Sequence, residues 1–235
     1  TNIHYFTFSS QGGMNDFGEL ISARYTCQGA SNAIRGLIFA GKQINEMAYN
    51  TIEFVTIATT GDAVSFGSLT ERVFNHGSGV STPTRAFQFA GLTNLGPTRT
   101  NVIHAATIAT QGDAVKFGEL TISPDAHTGC SNSIRGLSAG GQDPAATSNI
   151  DSVIIASRGN SVTFGNLSAN NINTGPNAAT TSPTRAVFSG GQNPSNTNIM
   201  EYIPIATGGS VVDFGDLVRA QQGGGATSNG HGGLG

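Results

Sequence analysis

Short stretches rich in β-branched and aromatic residues follow one another along the whole chain, and Gly, Asn, Ser and Pro bound them. In one of them, Val64 and Phe66 fall on one face of an extended chain and Ser65 falls on the other. No window carries the apolar stripe that is typical of an amphipathic helix. The pattern therefore predicts an all-β fold.

One motif occurs in five copies along the chain. It reads GDAVSFGSL at residues 61–69, and each copy contains a Phe-Gly pair. The phenylalanines of the five pairs are Phe17, Phe66, Phe117, Phe164 and Phe214. Their spacings of 49, 51, 47 and 50 residues establish an internal repeat.

Two further motifs recur in phase with the Phe-Gly pair. In the first, a Ser-Asn or Pro-Thr pair precedes an arginine and a short apolar run that ends in glycine. The arginines are Arg35, Arg85, Arg135 and Arg185, and Gly232 stands at this position in the fifth copy. The second motif is the Ile-Glu-Phe stretch at 52–54, which recurs around Ile3, Ile103, Ile150 and Met200. A fainter fourth strand, such as residues 24–27, completes each repeat.

Four strands in about 49 residues are typical of one blade of a β-propeller. The five repeats, at approximately 1–50, 51–100, 101–148, 149–197 and 198–235, predict a five-bladed β-propeller of four-stranded antiparallel blades. The first residues match a third strand and the last residues a second strand, so strands from both termini are expected to close the ring. We therefore expect one domain over residues 1–235; a β-helix or a fragment of a larger ring fits the pattern less well.

The repeat resembles a kelch blade. Gly140-Gly141 and Gly190-Gly191 match the glycine pair that closes the second kelch strand, and Arg24 and Arg72 match its later arginine. Phe66 and its equivalents stand where kelch repeats usually have tryptophan. The repeat is more similar to a divergent kelch-like form found in virion and appendage proteins of tailed phages of marine cyanobacteria. This resemblance implies a virion or extracellular location.

Composition excludes several classes of partner. Charged residues make up only 11 % of the chain, the net charge is −3, and the basic residues are scattered singly, so we expect no nucleic acid partner. No basic amphipathic segment or long apolar run predicts membrane binding, and no leader sequence is visible. Cys27 and Cys130 are too few for a disulfide framework and are expected to be buried free thiols.

Residues that recur in every repeat are expected mostly to serve the blade itself, whereas residues that break the pattern are free for function. The five Phe-Gly phenylalanines are expected to fill the core between blades. Arg35, Arg85, Arg135 and Arg185 are the candidate ligand-binding residues, but a brace between neighbouring blades is the favoured interpretation, because a guanidinium with five donors suits buried carbonyls as well as ligands. Asp62 and Asp113 follow glycines in predicted turns, where turn chemistry accounts for them without calcium.

The position after the repeated isoleucine holds a mixture of histidine and carboxylate side chains, namely His4, Glu53, His104, Asp151 and Glu201. We expect these side chains to face solvent. Their spacing does not match a zinc site, so no metal is predicted.

No nucleophile elbow, zinc-protease motif or phosphate-binding loop occurs in the sequence. We therefore expect a non-enzymatic structural or binding module without a cofactor, namely a tail, fibre or decoration protein of a phage. Its expected partners are other virion proteins, host cell-surface glycans or further copies of itself as a homo-oligomer. A lectin-like propeller is the alternative, and a polysaccharide-degrading enzyme comes after it. Recognition would use the loops at 43–45, 93–95, 143–145 and 193–195, which vary between repeats.

Overall fold

The computed structural model describes residues 1–7, 9, 12–43, 48–74, 79–93, 98–169, 178–192, 194–228, 230–231 and 234. Its long elements are all strands, as the sequence predicts. The strands are β1 (Asn2–Tyr5), β2 (Asn15–Glu19), β3 (Gln28–Ser31), β4 (Arg35–Phe39), β5 (Thr51–Thr56), β6 (Val64–Ser68), β7 (Val73–Phe74), β8 (Val80–Ser81), β9 (Arg85–Thr93), β10 (Arg99–Thr107), β11 (Val115–Glu119), β12 (Thr128–Ser131), β13 (Arg135–Ala139), β14 (Asn149–Ile154), β15 (Val162–Asn166), β16 (Ala178–Thr181), β17 (Arg185–Ser189), β18 (Thr197–Pro204), β19 (Gly209–Ser210) and β20 (Val212–Gln221).

Four sheets share one antiparallel order and are here called blades 1 to 4. They are β3-β4-β5-β6, β8-β9-β10-β11, β12-β13-β14-β15 and β16-β17-β18-β20. Blade 2 carries β7 as an extra strand on β9, and blade 3 carries β19 as a parallel strand on β15. A separate two-stranded sheet contains β1 and β2.

The blades are arranged radially around a common centre. The hydroxyl of Ser131 in β12 donates to Ser81 O in β8 over 2.8 Å, and the hydroxyl of Thr181 in β16 donates to Ser131 O over 2.8 Å. First strands of neighbouring blades therefore lie side by side, and the fourth strand of each sheet lies farthest from them. This is a β-propeller arrangement.

The number of complete blades differs from the prediction of five. The described residues form four complete blades, and the N-terminal repeat contributes only β1 and β2. These two strands pair with the same irregularity as β5 with β6 and β10 with β11, directly after the repeated isoleucine. The C-terminal repeat adds no strand to them within the described residues, since three successive glycines at 223–225 follow β20 and give poor strand propensity.

The fainter strand predicted at 24–27 lies further along the chain. The first strand of blade 1 is Gln28–Ser31 instead, and Tyr25 forms only an isolated bridge with Lys42. Thr26 has a φ of 54°, in the left-handed region, and this turns the chain before the strand begins.

Apolar cores lie between neighbouring blades. One cluster joins Phe66 of blade 1 to Ala106 and Ile108 of blade 2, and a second joins Phe117 of blade 2 to Val153 and Ile155 of blade 3. A third cluster joins blades 3 and 4. Blades 1, 2 and 3 therefore each depend on the next blade to bury their apolar faces.

The prediction that the five phenylalanines fill these cores is confirmed for two of them. Phe66 and Phe117 are buried, whereas Phe17 and Phe164 are half-buried. Phe214 is 50 % exposed, so its predicted core placement was wrong. The reason is that no described blade lies beyond blade 4 to cover it.

The glycine of the Phe-Gly pair permits neighbouring blades to approach closely. A Cβ atom on Gly67 would overlap Gly112 O in the next blade, and one on Gly118 would overlap Gly159 O. A Cβ on Gly215 in β20 would meet no described atom within 4 Å. The Phe-Gly motif is therefore explained by contact between blades, and blade 4 is the described blade that lacks this contact.

Candidate functional site

A central cavity of about 270 Å³ lies where the first strands meet. Five short segments and His231 line it, and the segments are residues 29–31, 79 and 81, 129–131, 179–181 and 226–228. All residues of these segments are Gly, Ala, Ser, Thr or Cys. Four of the segments lie in or beside the first strands of the blades, and the fifth is contributed by the C-terminal repeat.

Hydroxyl groups connect the segments in sequence around the cavity. Ser131 and Thr181 each bond the preceding segment, and the hydroxyl of Ser228 donates to Thr181 O over 2.6 Å. Ser228 therefore repeats the contact that Thr181 makes, and residues 226–228 occupy the place of a first strand beside blade 4.

The ionisable groups of this cavity are uncharged near neutral pH. Burial raises the pKa of the Cys130 thiol to about 12 and lowers the pKa of His231 below its usual value. The lining thus offers hydroxyls and backbone groups rather than charge. Such a surface suits a neutral polar ligand better than an ion.

The predicted ligand-binding arginines begin the second strands, outside the central cavity. Arg35 donates from Nη1 to Ile108 O over 2.7 Å and to Ala109 O over 3.1 Å, both in blade 2. Arg85 donates to Ile155 O of blade 3 over 3.2 Å. These two contacts have the geometry of braces between blades.

Arg135 and Arg185 differ from these two braces. Arg135 directs Nη1 towards Ser152 Oγ of its own blade, at 3.4 Å, and Arg185 is exposed above the ring of Tyr202. All four guanidiniums lie over an aromatic ring of their own blade, at 4.7 to 6.0 Å from the ring centre. Ligand binding by these arginines stays a prediction.

The position after the repeated isoleucine is buried in the four blades, so its predicted exposure was wrong there. Glu53, His104, Asp151 and Glu201 are all at most 3 % exposed, whereas His4 on β1 is exposed. Each buried side chain bonds the segment that leaves the preceding sheet. Glu53 accepts from Ile21 N over 3.0 Å, Asp151 from Thr121 N over 2.7 Å and Glu201 from Ser168 N over 3.1 Å.

His104 is the equivalent residue of blade 2, and its neutral imidazole ring bonds Thr70 in the segment that leaves blade 1. Its Nδ1 lies 2.8 Å from Gln88 Oε1, which can only accept, so Nδ1 carries the proton. Its Nε2 therefore accepts from Thr70 Oγ1, at 2.7 Å. Burial, with a smaller contribution from Lys116, lowers the pKa of His104 to about 4.

Arg24 adds a buried ion pair in blade 1. Its Nη2 contacts Glu53 Oε1, and both side chains are almost fully buried. Arg24 also lies 4.5 Å from the centre of the Tyr49 ring and donates to Ala40 O over 2.9 Å. The arginine at this position is thus a structural residue.

The turn residues Asp62 and Asp113 bond across blades. Asp62 Oδ1 accepts from Glu19 N and Asp113 Oδ1 from Ser68 N, both over 2.9 Å. Asn160 repeats this bond with Glu119 N over 3.0 Å. The prediction that these side chains serve only their own turns therefore does not account for their bonds to the last strand of the preceding sheet.

Both cysteines are free thiols, Cys130 buried and Cys27 only half-buried. Over the described residues, no group of three or more His, Cys, Asp or Glu side chains is arranged to hold a metal ion. Nor is any described helix long and apolar enough to span a membrane. Of the variable loops, 143–145 is described, 44–45 and 94–95 lie outside the described residues, and 193–195 is described except at 193.

A second cavity, of about 140 Å³, opens on blade 3 beside Arg135. Its lining includes Ser152, Arg158 and Val162, none of which the sequence analysis singled out. The available signal was a break in the repeat, because Ser152 stands where blades 1 and 4 have Phe54 and Tyr202.

Comparison with known proteins supports the fold. No family model and no curated protein sequence matches the chain. Among solved structures, the one titled "Structure of YjhT" is similar to it, with a TM-score of 0.70 and 10 % sequence identity. The match covers 87 % of this chain and 74 % of that one. At this identity the likeness concerns the fold alone, and it agrees with the propeller arrangement of the blades.

Proposed function

We propose that both termini build a fifth, kelch-like blade that closes the ring. In this blade β1 and β2 are the third and fourth strands, and residues 226–228 occupy the place of the first. The matching irregularity of the β1–β2 pair and the Ser228 bond to Thr181 support this proposal. So does the central cavity, which five segments line.

Deletion of each terminal segment tests this closure. If residues 1–20 and 222–235 build one blade, the two deletions are coupled, and the second costs much less unfolding free energy once the first is made. Denaturant unfolding of the two single deletions and the double deletion measures the coupling. Fully additive losses would contradict a shared blade.

We further propose that the chain is a non-enzymatic structural and binding module, a virion component of a phage that mediates assembly or attachment to the host surface. The observation that carries this proposal is an apolar surface on β20, defined by Val212 and Val218. These residues are 47 % and 108 % exposed. Their equivalents in blade 1, Val64 and Thr70, are exposed although blade 2 lies beside them, so a fifth blade beside blade 4 would leave Val212 and Val218 exposed as well. An exposed apolar row of this kind marks a surface for another protein.

The carboxylates of the repeat support a non-enzymatic role. Glu53, Asp151 and Glu201 are buried and accept hydrogen bonds from backbone N–H groups between blades. A carboxylate that is engaged in this way supports the scaffold rather than acid–base chemistry. The phage context itself rests on the resemblance of the repeat.

Mass spectrometry of purified particles of the encoding phage tests the virion role. We expect the chain in stoichiometric amount in the particle, and its absence would overturn the proposal. For assembly, Val212→Ser with Val218→Ser should abolish incorporation into particles, while the matched exposed pair Val64→Ser with Val115→Ser should not.

Carbohydrate binding is the second candidate, and the neutral hydroxyl-rich lining of the central cavity favours it. An array of bacterial surface glycans tests it with the purified chain. A reproducible family of bound glycans that free sugar displaces would support a lectin-like module. A blank array would leave the assembly role, and turnover of a bound polysaccharide would overturn the non-enzymatic proposal.

A further inference from the structure

In each blade, one pair of facing residues on the second and third strands is here called the rung. Blade 3 lacks the aromatic ring that this rung has in the other blades. The second and third strands place Leu37 opposite Phe54 in blade 1, Phe87 opposite Ala105 in blade 2 and Val187 opposite Tyr202 in blade 4. In blade 3 the same rung pairs Leu137 with Ser152. The space that a ring would fill is open there, and it forms the 140 Å³ cavity.

Two guanidinium groups line this cavity. Arg135 lies over the Phe164 ring at 5.2 Å, and its one described side-chain hydrogen bond is the long contact with Ser152. Unlike Arg35 and Arg85, it bonds no described carbonyl of the next blade. Arg158 directs Nη2 to Lys116 O over 2.8 Å, which leaves its other donors available.

The remaining lining combines a buried hydroxyl with an apolar wall. Ser152 is 2 % exposed, and Val153, Ile154 and Val162 supply the apolar side. Of the lining residues, all of them described, none is acidic. The cavity is smaller than the several hundred Å³ of a pocket for a drug-sized ligand, roughly 300 Å³ or more, so it holds one functional group and not a whole saccharide.

We propose that this cavity is a binding site for the carboxylate group of a small organic molecule, held by Arg135 and Arg158 with Ser152 as a third donor. A guanidinium matches a planar carboxylate through two parallel hydrogen bonds. The apolar side of the cavity, formed by Val153, Ile154 and Val162, accommodates the carbon atom next to the carboxylate. Phosphate is the poorer ligand, because its higher charge and full hydration are incompatible with an apolar wall. The site does not depend on the virion role or on closure of the ring.

Titration of the ¹⁵N-labelled full chain with propionate, followed by NMR, tests the site. We expect saturable shifts at the Arg135 and Arg158 side-chain N–H groups and at the backbone amides of residues 152–162. Inorganic phosphate should bind at least tenfold more weakly. Equal or tighter binding of phosphate, or shifts spread over all arginines, would overturn the proposal.

Variants separate the cavity from general attraction to arginine. Ser152→Phe restores the ring of blade 1 and should weaken propionate binding at least tenfold, as should Arg135→Gln, which leaves the cavity open. Arg185→Gln is the matched control, since Arg185 lies over a ring but lines no cavity, and it should bind propionate normally. If Ser152→Phe does not fold, Arg135→Gln decides, and unchanged affinity in this variant would overturn the proposal.

Discussion

The carboxylate of Asp151 accepts a hydrogen bond of 2.7 Å from the backbone N–H of Thr121, which lies 30 residues earlier, at the exit of the preceding blade. The same carboxylate accepts from the hydroxyls of Thr121 and Ser161 over 2.6 and 2.9 Å. A single buried side chain thus joins two blades by accepting from several donors. Glu53 and Glu201 repeat this relationship at two other joints.

Asp151→Ala should therefore destabilise the protein strongly. Its removal leaves the hydroxyls of Thr121 and Ser161 without this acceptor and the Thr121 N–H with only its 3.0 Å bond to Ser161 Oγ, at a cost of roughly 3 kcal/mol or more. Asp113→Ala is the matched control, because Asp113 accepts a similar bond from Ser68 N but is exposed, and its loss should cost less than about 1 kcal/mol. Urea unfolding measures the free energy of unfolding of both variants. Equal losses of stability would contradict the role of burial.

Phe214→Ala should destabilise the protein about as much as Phe117→Ala if the proposed fifth blade closes the ring. Phe117 contributes to the core between blades 2 and 3, so truncation should cost roughly 3–5 kcal/mol. Phe214 is 50 % exposed among the described residues, and a fifth blade beside blade 4 would bury it in the same way. Denaturant unfolding measures the free energy of both variants. A loss of about 1 kcal/mol or less for Phe214→Ala would mean that no blade covers this residue.

Arg35→Ala should destabilise the protein more than Arg185→Ala. Arg35 bonds two carbonyls of blade 2, and the variant removes this donor from the carbonyl of the buried Ile108, at about 1–3 kcal/mol. Arg185 contributes an exposed contact with the Tyr202 ring, worth about 1 kcal/mol or less. Thermal and urea unfolding of both variants test the difference, and a null effect of Arg35→Ala would exclude the brace.

Acid should destabilise the protein through two buried histidines. Burial lowers the pKa of His104 and of His127 to about 4, below the unfolded value of 6.5. Between pH 6.5 and 4 the unfolded chain binds more protons, so the unfolding free energy falls as the pH falls. The loss at pH 4 should approach about 3 kcal/mol for each histidine.

The histidine variants provide the measurement for this pH dependence. His104→Gln keeps an acceptor and a donor for Thr70 and Gln88 but does not titrate. Urea unfolding from pH 7 to pH 4 should have a shallower pH dependence in this variant than in the wild type, and His127→Gln should add to the effect. Parallel pH profiles for all proteins would refute the assignment to these residues.

The two thiols should react at different rates in the native protein. Burial raises the pKa of Cys130 to about 12 and also raises that of Cys27, but Cys27 is only half-buried. Because the thiolate is the reactive form, Cys130 should react with a disulfide reagent only on unfolding, and Cys27 slowly before it. Rapid modification of Cys130 in the native state would contradict its burial.

The sequence by itself determined the all-β class, the period of the repeat and the register of its motifs. Strand propensity and turn residues are local properties, and five near-copies reinforce one another. The Phe-Gly pair was visible for the same reason, although its glycine is explained only by the carbonyl of the next blade that a Cβ at Gly67 or Gly118 would meet.

Only the tertiary structure decided how the same motif behaves in different blades. Period-two alternation assigns Glu53, His104, Asp151 and Glu201 to one face of a strand. Whether that face is buried or exposed to water depends on the adjacent blade. Phe117 and Phe214 have similar local sequences and opposite burial, since only Phe117 has a described blade beyond it. Likewise, Ser152 reads as an ordinary strand residue until its rung is compared with those of the other blades. In a propeller, the burial of such a residue is set at the interface between two blades, and the sequence of one repeat contains only half of that interface.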